Sequence, residues 1–492
     1  MKYFCGIDNG GTNTKAAIFD ENGAELASFS VETPRQFPAP GWEERDMDEL
    51  WARTSAAVRG ALERSGIDNG DIAGVGCTGH GKGLYPWGKD GRPAYNAIAS
   101  TDRRALDIVD EWSRTGVTES VMDKIMQPVS ECQPVALLAW LKREKPEVYS
   151  NIQWIFEAKD YIRFRLTGEA RAEMTDYSGT SLMDIRSSRF DRGILDAFGI
   201  GEMAQCLPET CLSYDLCGHV TRDAAEATGL LEGTPVCGGM FDIDACAIAM
   251  GVTRPESLCA ITGTWSINEF VSPQPVDPRG STRNSLFCIP GLYLIEESSA
   301  TSAGNLDWCL HTMLGIQGKP DYDEINRLVQ SVEPQDSNVI FLPFLYGTNA
   351  VYPNAVFAGL TQSTTRAELL RAVYEGVVFS HVSHIKKLLK FRDKPEVVSI
   401  AGGAANSKVW LQMFADCLAL PVEAVEAGEL GALGCAMAAS VAAGVYSDYE
   451  DAARHMVRVS RRVEPDMSRT GVYAQKFQAY ERLVEALGST VK

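Results

Sequence analysis

A short turn near the start of the chain carries residue types that bind phosphate. Asp8–Lys15 reads DNGGTNTK and joins two apolar segments. Its glycines let backbone N–H groups approach phosphate oxygens, and the hydroxyls of Thr12 and Thr14 can donate hydrogen bonds. Lys15 adds positive charge, and Asp8 can hold Mg²⁺ through water. The alternative is an ordinary hairpin turn whose Asn and Gly residues adopt positive φ, and the segment is neither a P-loop nor a Rossmann fingerprint.

A second candidate for chemistry is Asp242. It lies in Gly238–Gly251, between a glycine-rich strand end and an apolar helix. A carboxylate there could accept the proton of a substrate hydroxyl, while the helix N-terminus helps to hold anionic groups. The alternative is a helix N-cap, for which Asp is a favoured residue. Asp244 has the same two interpretations, with the N-cap or a surface position favoured.

A glycine pair later in the chain could face a nucleotide base. Ala401–Asn406 reads AGGAAN, follows a predicted strand and precedes a predicted helix. A backbone without side chains on one side leaves room for a flat ring such as adenine. The alternative is a tight strand-to-helix turn.

The elements that must position these residues follow a repeated plan. Tyr3–Phe19 is an apolar run, a turn and a second apolar run, which predicts two strands joined by a hairpin. Ser257–Phe270 repeats this plan about half the chain later. The repeat predicts that each hairpin opens one of two related domains.

Short apolar strands alternate with helical stretches in the rest of the chain, which predicts an α/β fold. Further strands are predicted at Ile72–Cys77, Val339–Phe344 and Val397–Ile400. Helices are predicted at Arg103–Trp112, Val135–Glu147, Gly431–Ala443 and, with an amphipathic pattern, Arg366–Leu389. A single core rarely grows beyond about 250 to 300 residues, and Gly/Pro-rich Gly233–Met240 marks the midpoint. We therefore predict domains at 1–244 and 245–492.

The bulk composition excludes several classes of protein. The 492 residues carry a formal net charge of -19, which would repel nucleic acid and anionic membranes. No apolar run approaches the roughly 18 residues needed to cross a bilayer, and no leader segment is expected. The 13 cysteines lack a metal-binding spacing and indicate free thiols in a reducing compartment. We expect a cytoplasmic protein without nucleic-acid or membrane partners.

Three segments resemble the motifs by which actin-like ATPases bind nucleotide. The first phosphate motif of that superfamily is similar to Asp8–Asp20, and the second is similar to Thr262–Trp265. The adenosine motif is similar to Ile400–Asn406.

A longer match resembles the FGGY carbohydrate kinase family within that superfamily. Ala355–Leu360 followed by Glu368–Glu375 fits the family's C-terminal signature at every constrained position. The other family signature falls at Pro134–Leu141, where Leu137 stands in place of the usual lysine. The resemblance runs from Tyr3 to about Val445.

The resemblance implies an α/β protein with two ribonuclease H-like (actin-like ATPase) domains flanking a catalytic cleft, using ATP and Mg²⁺. It implies that Asp242 is the general base and that Asp8 positions the metal ion. The positions implied to contact the phosphates and the nucleotide are Thr12, Lys15, Gly263, Thr264, Gly304, Gly402, Gly403 and Asn406. The implied sugar-binding residues are His80, Lys82, Asp102, Arg103 and Asp242.

The acceptor implied by the resemblance is a small-molecule keto-sugar, with L-xylulose expected to become L-xylulose 5-phosphate. Lys82 stands where D-xylulose kinases carry a histidine, with His80 two positions earlier, which argues against D-xylulose. The alternatives are erythritol, L-ribulose or 3-keto-L-gulonate as acceptor, or an actin-like ATPase that phosphorylates no metabolite. A homodimer is a further expectation, since dimers are common in the family.

Overall fold

The computed structural model describes residues 1–263, 265–347, 352, 354–426 and 428–489. The chain divides into two compact units, each made of separate segments. The first unit contains Met1–Thr253, Ser272–Leu294 and Ala427–Val457, and the second contains Arg254–Val271, Ile295–Glu426 and Arg458–Lys492. The domain ranges 1–244 and 245–492 stay a prediction.

The strands of the described chain are β1 Tyr3–Asn9, β2 Asn13–Asp20, β3 Glu25–Glu32, β4 Glu44–Arg45, β5 Ile72–Gly79, β6 Tyr85–Gly88, β7 Ala97–Ile98, β8 Ile152–Phe156, β9 Arg171–Glu173, β10 Met183–Asp184, β11 Arg189–Phe190, β12 Glu209–Cys211, β13 Leu216–His219, β14 Pro235–Cys237, β15 Met240–Phe241, β16 Leu258–Thr262, β17 Ser266–Ser272, β18 Arg283–Leu286, β19 Tyr293–Ser299, β20 Ile340–Leu342, β21 Val356–Ala358, β22 Val398–Gly402, β23 Val422–Val425 and β24 Val459–Val463.

The helices are α1 Met47–Ser65, α2 Leu106–Thr115, α3 Val117–Ile125, α4 Pro134–Glu144, α5 Pro146–Asn151, α6 Ala158–Thr167, α7 Met174–Tyr177, α8 Arg192–Ala197, α9 Arg222–Thr228, α10 Asp242–Ala249, α11 Gly304–Trp308, α12 Tyr322–Gln330, α13 Arg366–Leu388, α14 Lys408–Leu418, α15 Leu430–Ala442, α16 Tyr449–Met456 and α17 Met467–Gly488. Short 3₁₀ turns occupy Asn69–Asp71, Gly201–Cys206, Pro334–Asp336 and Gly403–Asn406, and a π turn occupies Cys309–Met313.

The first unit is built on a mixed sheet with the order β13-β14-β5-β1-β2-β3, and β15 also pairs with β5. β1 and β2 form the predicted antiparallel hairpin, while β5 runs parallel to β1, β14 and β15. Leu50 and Val58 of α1 share a buried cluster with Ile18 of β2 and Val75 of β5. The apolar stripe of α1 therefore holds one face of this sheet.

Helix α15 rests on β1 through residues without bulky side chains. A Cβ atom on Gly6 would lie 1.9 Å from the Ala432 carbonyl oxygen. A Cβ atom on Gly434 would lie 2.2 Å from the Ala245 carbonyl oxygen of α10. Only glycine permits such close backbone approach, so the Gly/Ala composition of the predicted helix Gly431–Ala443 is explained by its packing.

One predicted helix is interrupted in the structure. The helical pattern of Val135–Glu147 is divided between two helices, since α4 ends at Glu144 and α5 begins at Pro146. The pyrrolidine ring of Pro146 disfavours the helical conformation at the preceding residue, and Lys145 has φ -139° and ψ 57°. The predicted helix Arg103–Trp112 is confirmed with later bounds, Leu106–Thr115.

The second unit repeats the local plan of the first. Its strands lie in the order β19-β17-β16-β22-β23-β24. β16 and β17 form the predicted second hairpin, and β22 runs parallel to β16 just as β5 runs parallel to β1.

Helix α13 forms the centre of the second unit. A reciprocal capping box of Thr365 and Glu368 begins it, with Glu368 Oε2 accepting from the Thr365 backbone N–H at 2.8 Å. The helix predicted at Arg366–Leu389 is confirmed within one residue, but its predicted amphipathic pattern is wrong, because residues 370–382 are buried on every side. The buried polar residues among them include Arg371, Glu375 and His381.

Among the described residues, no helix combines the length and the apolar character that crossing a bilayer requires.

Candidate active site

Three parallel strands of the first unit end at one edge of its sheet. Asp8 of β1 pairs with Thr78 of β5, and Thr78 pairs with Met240 of β15. Asp8 and Asp242 therefore lie at the same edge, with β5 between their strands. Two strand spacings of about 4.8 Å separate those strands by about 10 Å. The carboxyl edge of parallel strands is where open α/β sheets bind ligands.

Asp8 is half-buried beneath the start of α15. Burial raises the pKa of its carboxyl group to about 6, Lys15 opposes the shift and Glu429 adds to it. A Cβ atom on Gly431, the second residue of α15, would lie 2.8 Å from Asp8 Oδ2. The carboxylate thus stands at a helix N-terminus, where the helix dipole favours negative charge.

The setting of Asp8 fits Mg²⁺ held largely by water and phosphate. Mg²⁺ usually binds one or two carboxylates and keeps several waters, and a carboxylate whose burial disfavours its charge gains from a nearby cation. Within the described ranges, no group of three or more His, Cys, Asp or Glu side chains could hold a metal ion. The donor set fits a single-carboxylate Mg²⁺ position and does not fit an all-protein cage.

Lys15 lies opposite Asp8 in the β1–β2 register. Its Nζ atom lies 2.8 Å from Glu429 Oε2, and both side chains are partly exposed. Burial lowers the pKa of Lys15, but the hydrogen bond and charge of Glu429 outweigh it, so the pKa is raised overall. Sequence reasoning missed Glu429 because no local pattern links it to the hairpin.

The two threonines of the turn have different environments. Thr12 is exposed at the tip, where its Oγ1 atom accepts a hydrogen bond from Asn13 Nδ2 at 3.2 Å. Thr14 is buried and donates to Asn9 Oδ1 at 3.0 Å. The hydroxyl of Thr12 thus faces solvent beside the glycines, whereas that of Thr14 stabilises the hairpin itself.

Arg45 connects the phosphate turn to His80. The buried guanidinium donates to the carbonyl oxygens of Gly10, at 3.2 Å, and Gly11. It also lies 3.5 Å from His80 Nε2. Sequence reasoning did not single out Arg45, because no local pattern links this residue to the phosphate turn or to His80.

The loop after β5 holds two predicted sugar-site residues. His80 Nε2 lies 2.8 Å from the Tyr85 hydroxyl, and burial together with Arg45 lowers the pKa of the imidazole to about 3. The ring is therefore neutral, and its buried Nδ1 atom has no hydrogen-bond partner in the described part of the chain. Lys82 has φ 64° and Gly83 has φ 84°. A left-handed lysine is a strained conformation of the kind that is concentrated at functional sites.

Asp102 and Arg103 differ in exposure. Asp102 is buried and accepts hydrogen bonds from the Glu43 backbone N–H at 2.7 Å and from the guanidinium of Arg104. Arg103 is 63% exposed and lies 3.3 Å from Glu131. These hydrogen bonds give Asp102 a structural role, because they join its segment to Glu43. Sugar binding by Asp102 or by Arg103 stays a prediction.

Asp242 is the first residue of α10, and Phe241 occupies the N-cap position. The N-cap interpretation of Asp242 is therefore wrong. Both the N-cap and the surface interpretations are wrong for Asp244, which is buried inside α10 and accepts a hydrogen bond from the Cys288 backbone N–H at 2.9 Å. The Phe241 backbone N–H donates to Thr175 Oγ1 at 2.9 Å. This hydrogen bond holds the backbone of the residue that precedes Asp242.

A buried acidic cluster lies beside the sugar-site loop, and sequence reasoning missed it. A Cβ atom on Gly81 would lie 2.9 Å from Asp176 Oδ1, which accepts no hydrogen bond from the described residues. Neither carboxylate oxygen of buried Glu157 has such a partner either. Burial raises the pKa of both carboxyl groups. Lys159 lies beside this cluster, with its Nζ atom 3.4 Å from Asp176 Oδ2.

Lys159 does not neutralise that cluster alone. The same Nζ atom lies 2.8 Å from Asp160 and 3.2 Å from Glu173, and Asp160 is paired in turn with Arg163 at 2.6 Å. The carboxylates thus outnumber the cations, so Asp176 and Glu157 have capacity left for hydroxyl donors.

In the second unit, the predicted phosphate hairpin lies against the predicted adenosine segment. The Gly263 backbone N–H donates to the Trp265 carbonyl at 3.2 Å, and Thr264 lies outside the described residues. Gly402 has φ 85°, and a Cβ atom there would lie 2.6 Å from the Thr262 carbonyl oxygen. Glycine is required at this crossing, where β16 and β22 end together.

The remaining predicted nucleotide residues surround the same point. The Gly263 carbonyl accepts from the Ala303 backbone N–H at 3.1 Å, and Gly304 begins α11 directly after it. A Cβ atom on Gly403 would lie 3.6 Å from the Ala303 Cβ atom. Asn406 ends the 3₁₀ turn that Gly403 begins. The second unit therefore brings the described members of this set together.

Buried His381 braces that region, and sequence reasoning missed it. Its Nδ1 atom lies 3.1 Å from Ser266 Oγ and 2.7 Å from Asn268 Oδ1, while its Nε2 atom lies 2.8 Å from Ser302 Oγ. Burial lowers its pKa to about 3. A neutral histidine thus ties the β16–β17 hairpin to the segment preceding Gly304.

Two family models match the chain. Residues 3–249 match the N-terminal domain of the FGGY family of carbohydrate kinases, and residues 258–443 match its C-terminal domain. The chain is 36% identical over 488 residues to the L-xylulose/3-keto-L-gulonate kinase of Escherichia coli (strain K12), covering 99% of this chain and 97% of that protein. It is 36% identical over 490 residues to a probable L-xylulose kinase of Pasteurella multocida (strain Pm70), covering 99% of each.

A solved structure gives the same result. The crystal structure of xylulose kinase from Rhodospirillum rubrum superimposes with a TM-score of 0.89 at 25% identity, covering 99% of both chains. The predicted fold class and the predicted kinase activity are confirmed. The chain belongs to the FGGY family of carbohydrate kinases and is an ATP-dependent sugar kinase.

Proposed function

We propose that this kinase phosphorylates a keto-sugar and that L-xylulose, converted to L-xylulose 5-phosphate, is its acceptor. The observation that carries the proposal is the register of β1, β5 and β15, which supports a shared site for Asp8, His80 and Asp242. The acceptor is inferred from the two relatives, each 36% identical over nearly the full chain.

Asp242 is the proposed general base. The acceptor hydroxyl oxygen forms a bond to the γ-phosphorus of ATP, and the bond from that phosphorus to the β–γ bridging oxygen breaks to release ADP. The hydroxyl proton passes to the Asp242 carboxylate. Most of the rate enhancement in phosphoryl transfer comes from positioning and charge stabilisation, so the groups around the phosphates matter as much as the base.

The phosphate turn supplies those groups in the proposal. The Gly11 backbone N–H, the Thr12 hydroxyl and the Lys15 ammonium are the proposed donors to phosphate oxygens, since the Gly10 backbone N–H already donates to the Asn13 carbonyl at 3.0 Å. Asp8 would hold Mg²⁺, which supplies positive charge to the phosphate oxygens when it is bound. The proposed nucleotide contacts of the second unit are Gly263, Thr264, Gly304, Gly402, Gly403 and Asn406.

The sugar is proposed to be bound by the loop after β5. Neutral His80 can offer Nδ1 to a hydroxyl, and Lys82 can donate from its ammonium group. We add Asp176, because its Oδ1 atom adjoins Gly81 and accepts no hydrogen bond from the described residues. A carboxylate in this state is a strong acceptor for a hydroxyl donor. Sugar contacts by Asp102 and Arg103 complete the proposed set.

A screen of acceptors tests the proposal. Purified protein with Mg-ATP is given L-xylulose, D-xylulose, L-ribulose, 3-keto-L-gulonate or erythritol, and both ADP release and the sugar phosphate are measured. We expect the highest kcat/KM with L-xylulose. The name of the Escherichia coli relative favours 3-keto-L-gulonate as the second acceptor. ADP release that no sugar alters, without any sugar phosphate, would contradict the proposal.

A further inference from the structure

A cavity in the second unit lies outside the set of predicted active-site residues. Its volume is about 390 Å³, which falls within the range of pockets that bind small molecules. Lys408, Gln412 and Asp416 line it from one face of α14, and Arg469 and Tyr473 line it from α17. No residue predicted to bind nucleotide or sugar lines it, although α14 begins two residues after Asn406.

Asp416 is the buried acceptor of this cavity. It is 1% exposed, and its Oδ1 atom accepts from the Asp466 backbone N–H and from Gln412 Nε2, both at 2.7 Å. Its Oδ2 atom is buried and has no hydrogen-bond partner within the described ranges. A buried carboxylate oxygen without a donor costs free energy that a hydroxyl donor from a ligand would recover.

Two cations stand at the same cavity. Lys408 is exposed at the N-terminus of α14, and it forms no ion pair or hydrogen bond with any residue that the structure describes. Arg469 is 39% exposed and shares its charge between Glu333 at 2.9 Å and Asp466 at 3.7 Å. Exposed ammonium and guanidinium groups that flank a polar pocket are suited to an anionic group.

The buried cation of the cavity, Arg371, already has hydrogen-bond partners within the protein. Arg371 donates to Glu375 at 2.7 Å, to the Val329 carbonyl at 3.2 Å and to the Tyr473 hydroxyl at 2.7 Å. It therefore shapes the wall of the cavity and leaves ligand binding to Asp416, Lys408 and Arg469.

We propose that this cavity is a second binding site, which takes a small anionic polyol such as a sugar phosphate or a sugar acid. A hydroxyl of the ligand donates to Asp416 Oδ2, and the anionic group lies against Lys408 and Arg469. A neutral polyol would leave the cations unused, and a bare anion would leave Asp416 Oδ2 without a donor. Both chemical features are therefore needed in one molecule.

Isothermal titration calorimetry with the full chain tests this site. The probes are glycerol 3-phosphate and D-glycerate, with glycerol and inorganic phosphate as controls that carry only one feature each. The variants are Asp416→Asn, which keeps the Oδ1 acceptor and replaces Oδ2 by a donor, and Lys408→Gln at an exposed position. Asp242→Asn serves as the active-site control, and the melting temperature of each variant without probe reports its folding.

We expect at least one anionic probe to bind the wild-type protein, with at least tenfold weaker binding in Asp416→Asn and in Lys408→Gln. Binding by glycerol 3-phosphate alone would assign a phosphate ligand, and binding by D-glycerate alone would assign a carboxylate ligand. The affinity in Asp242→Asn should match that of the wild type. Absence of binding by both probes, unchanged binding in both cavity variants, or loss of binding in Asp242→Asn would each overturn the proposal. Sugar phosphorylation in the two cavity variants reports on the active site separately.

Discussion

Three charged side chains, Asp8, Lys15 and Glu429, interact at the sheet edge of the first unit. Glu429 pairs with Lys15 and, through its own charge, adds to the raised pKa of Asp8. A ligand phosphate near Lys15 must therefore compete with Glu429 for the ammonium group, whereas a cation at Asp8 relieves the cost of that buried charge. We infer that metal and phosphate favour each other's binding at this edge.

The role of Asp242 is testable by a substitution that preserves shape. We expect Asp242→Asn to lower kcat by about 10²–10⁴-fold, because the amide cannot accept the hydroxyl proton. The dissociation constant for ADP, measured by calorimetry, should change less than twofold. A variant that phosphorylates sugar at the wild-type rate would exclude Asp242 as the base.

Asp176 is expected to act on the sugar and not on the nucleotide. Asp176→Asn replaces a carboxylate beside Gly81, so we expect KM for the sugar to rise by about tenfold, as for the loss of one charged hydrogen bond. KM for ATP should stay unchanged. Asp90→Asn, at an exposed position of the same unit, serves as the control. Equal increases in both KM values would instead indicate a structural role.

The buried Asp176 carboxyl group also predicts a pH dependence of stability. Burial raises its pKa above the ordinary value of 3.8, so folding favours the protonated form. The protonated Asp176 carboxyl group therefore contributes to the free energy of unfolding below pH 3.8, and this contribution is lost as the pH rises through the folded-state pKa. The amide introduced by Asp176→Asn does not titrate, so the variant does not lose stability in this way. The melting temperature of the variant minus that of the wild type should therefore increase from pH 5 to pH 8. A constant difference across this range would contradict the assignment.

At the level of elements, the contact between α15 and β1 is expected to be intolerant of a single methyl group. Gly6→Ala would place Cβ 1.9 Å from the Ala432 carbonyl oxygen, and overpacking of this kind costs about 1–3 kcal/mol. Gly471→Ala is the matched control, because a Cβ atom in that exposed turn of α17 meets nothing within 4 Å. It should stabilise the protein by about 0.5–1 kcal/mol. Chemical denaturation measures both, and a neutral Gly6→Ala would show that α15 can shift.

His381 links two elements of the second unit. His381→Ala leaves the hydroxyls of Ser266 and Ser302 without this partner, and we expect a loss of about 1–3 kcal/mol in the free energy of unfolding. If the region binds nucleotide as proposed, KM for ATP should rise as well. His219→Ala, at an exposed position, should change stability by less than about 0.5 kcal/mol. An unaltered KM for ATP in a destabilised His381→Ala would limit the residue to a structural role.

At the scale of the whole molecule, nucleotide and metal should stabilise the chain together. ADP at about 100 times its dissociation constant should add about 2.7 kcal/mol to the stability of the protein, seen as a higher melting temperature with Mg²⁺ present. EDTA should remove most of this gain and abolish sugar phosphorylation, and added Mg²⁺ should restore both. Full activity in EDTA would exclude the role proposed for Asp8.

Several features of the protein follow from local sequence alone. The turn of Asp8–Lys15 forms the predicted hairpin because apolar runs flank residues that tolerate tight turns. The helix predicted at Gly431–Ala443 is confirmed within one residue at each end. The order of motifs indicated the family, since each motif is contiguous in the chain.

Tertiary structure alone decided which distant residues complete the candidate site. Glu429 reaches Lys15, Arg45 reaches Gly10 and Gly11, and Asp176 reaches Gly81, although each pair is well separated in the chain. Propensity and periodicity report on neighbours along the chain, whereas these contacts depend on which strands pair and where α15 packs. The buried length of α13 has the same cause, because the elements packed around it set its environment. The physical reason is that side-chain types are encoded locally, but charge, burial and distance are set by the packing of the fold.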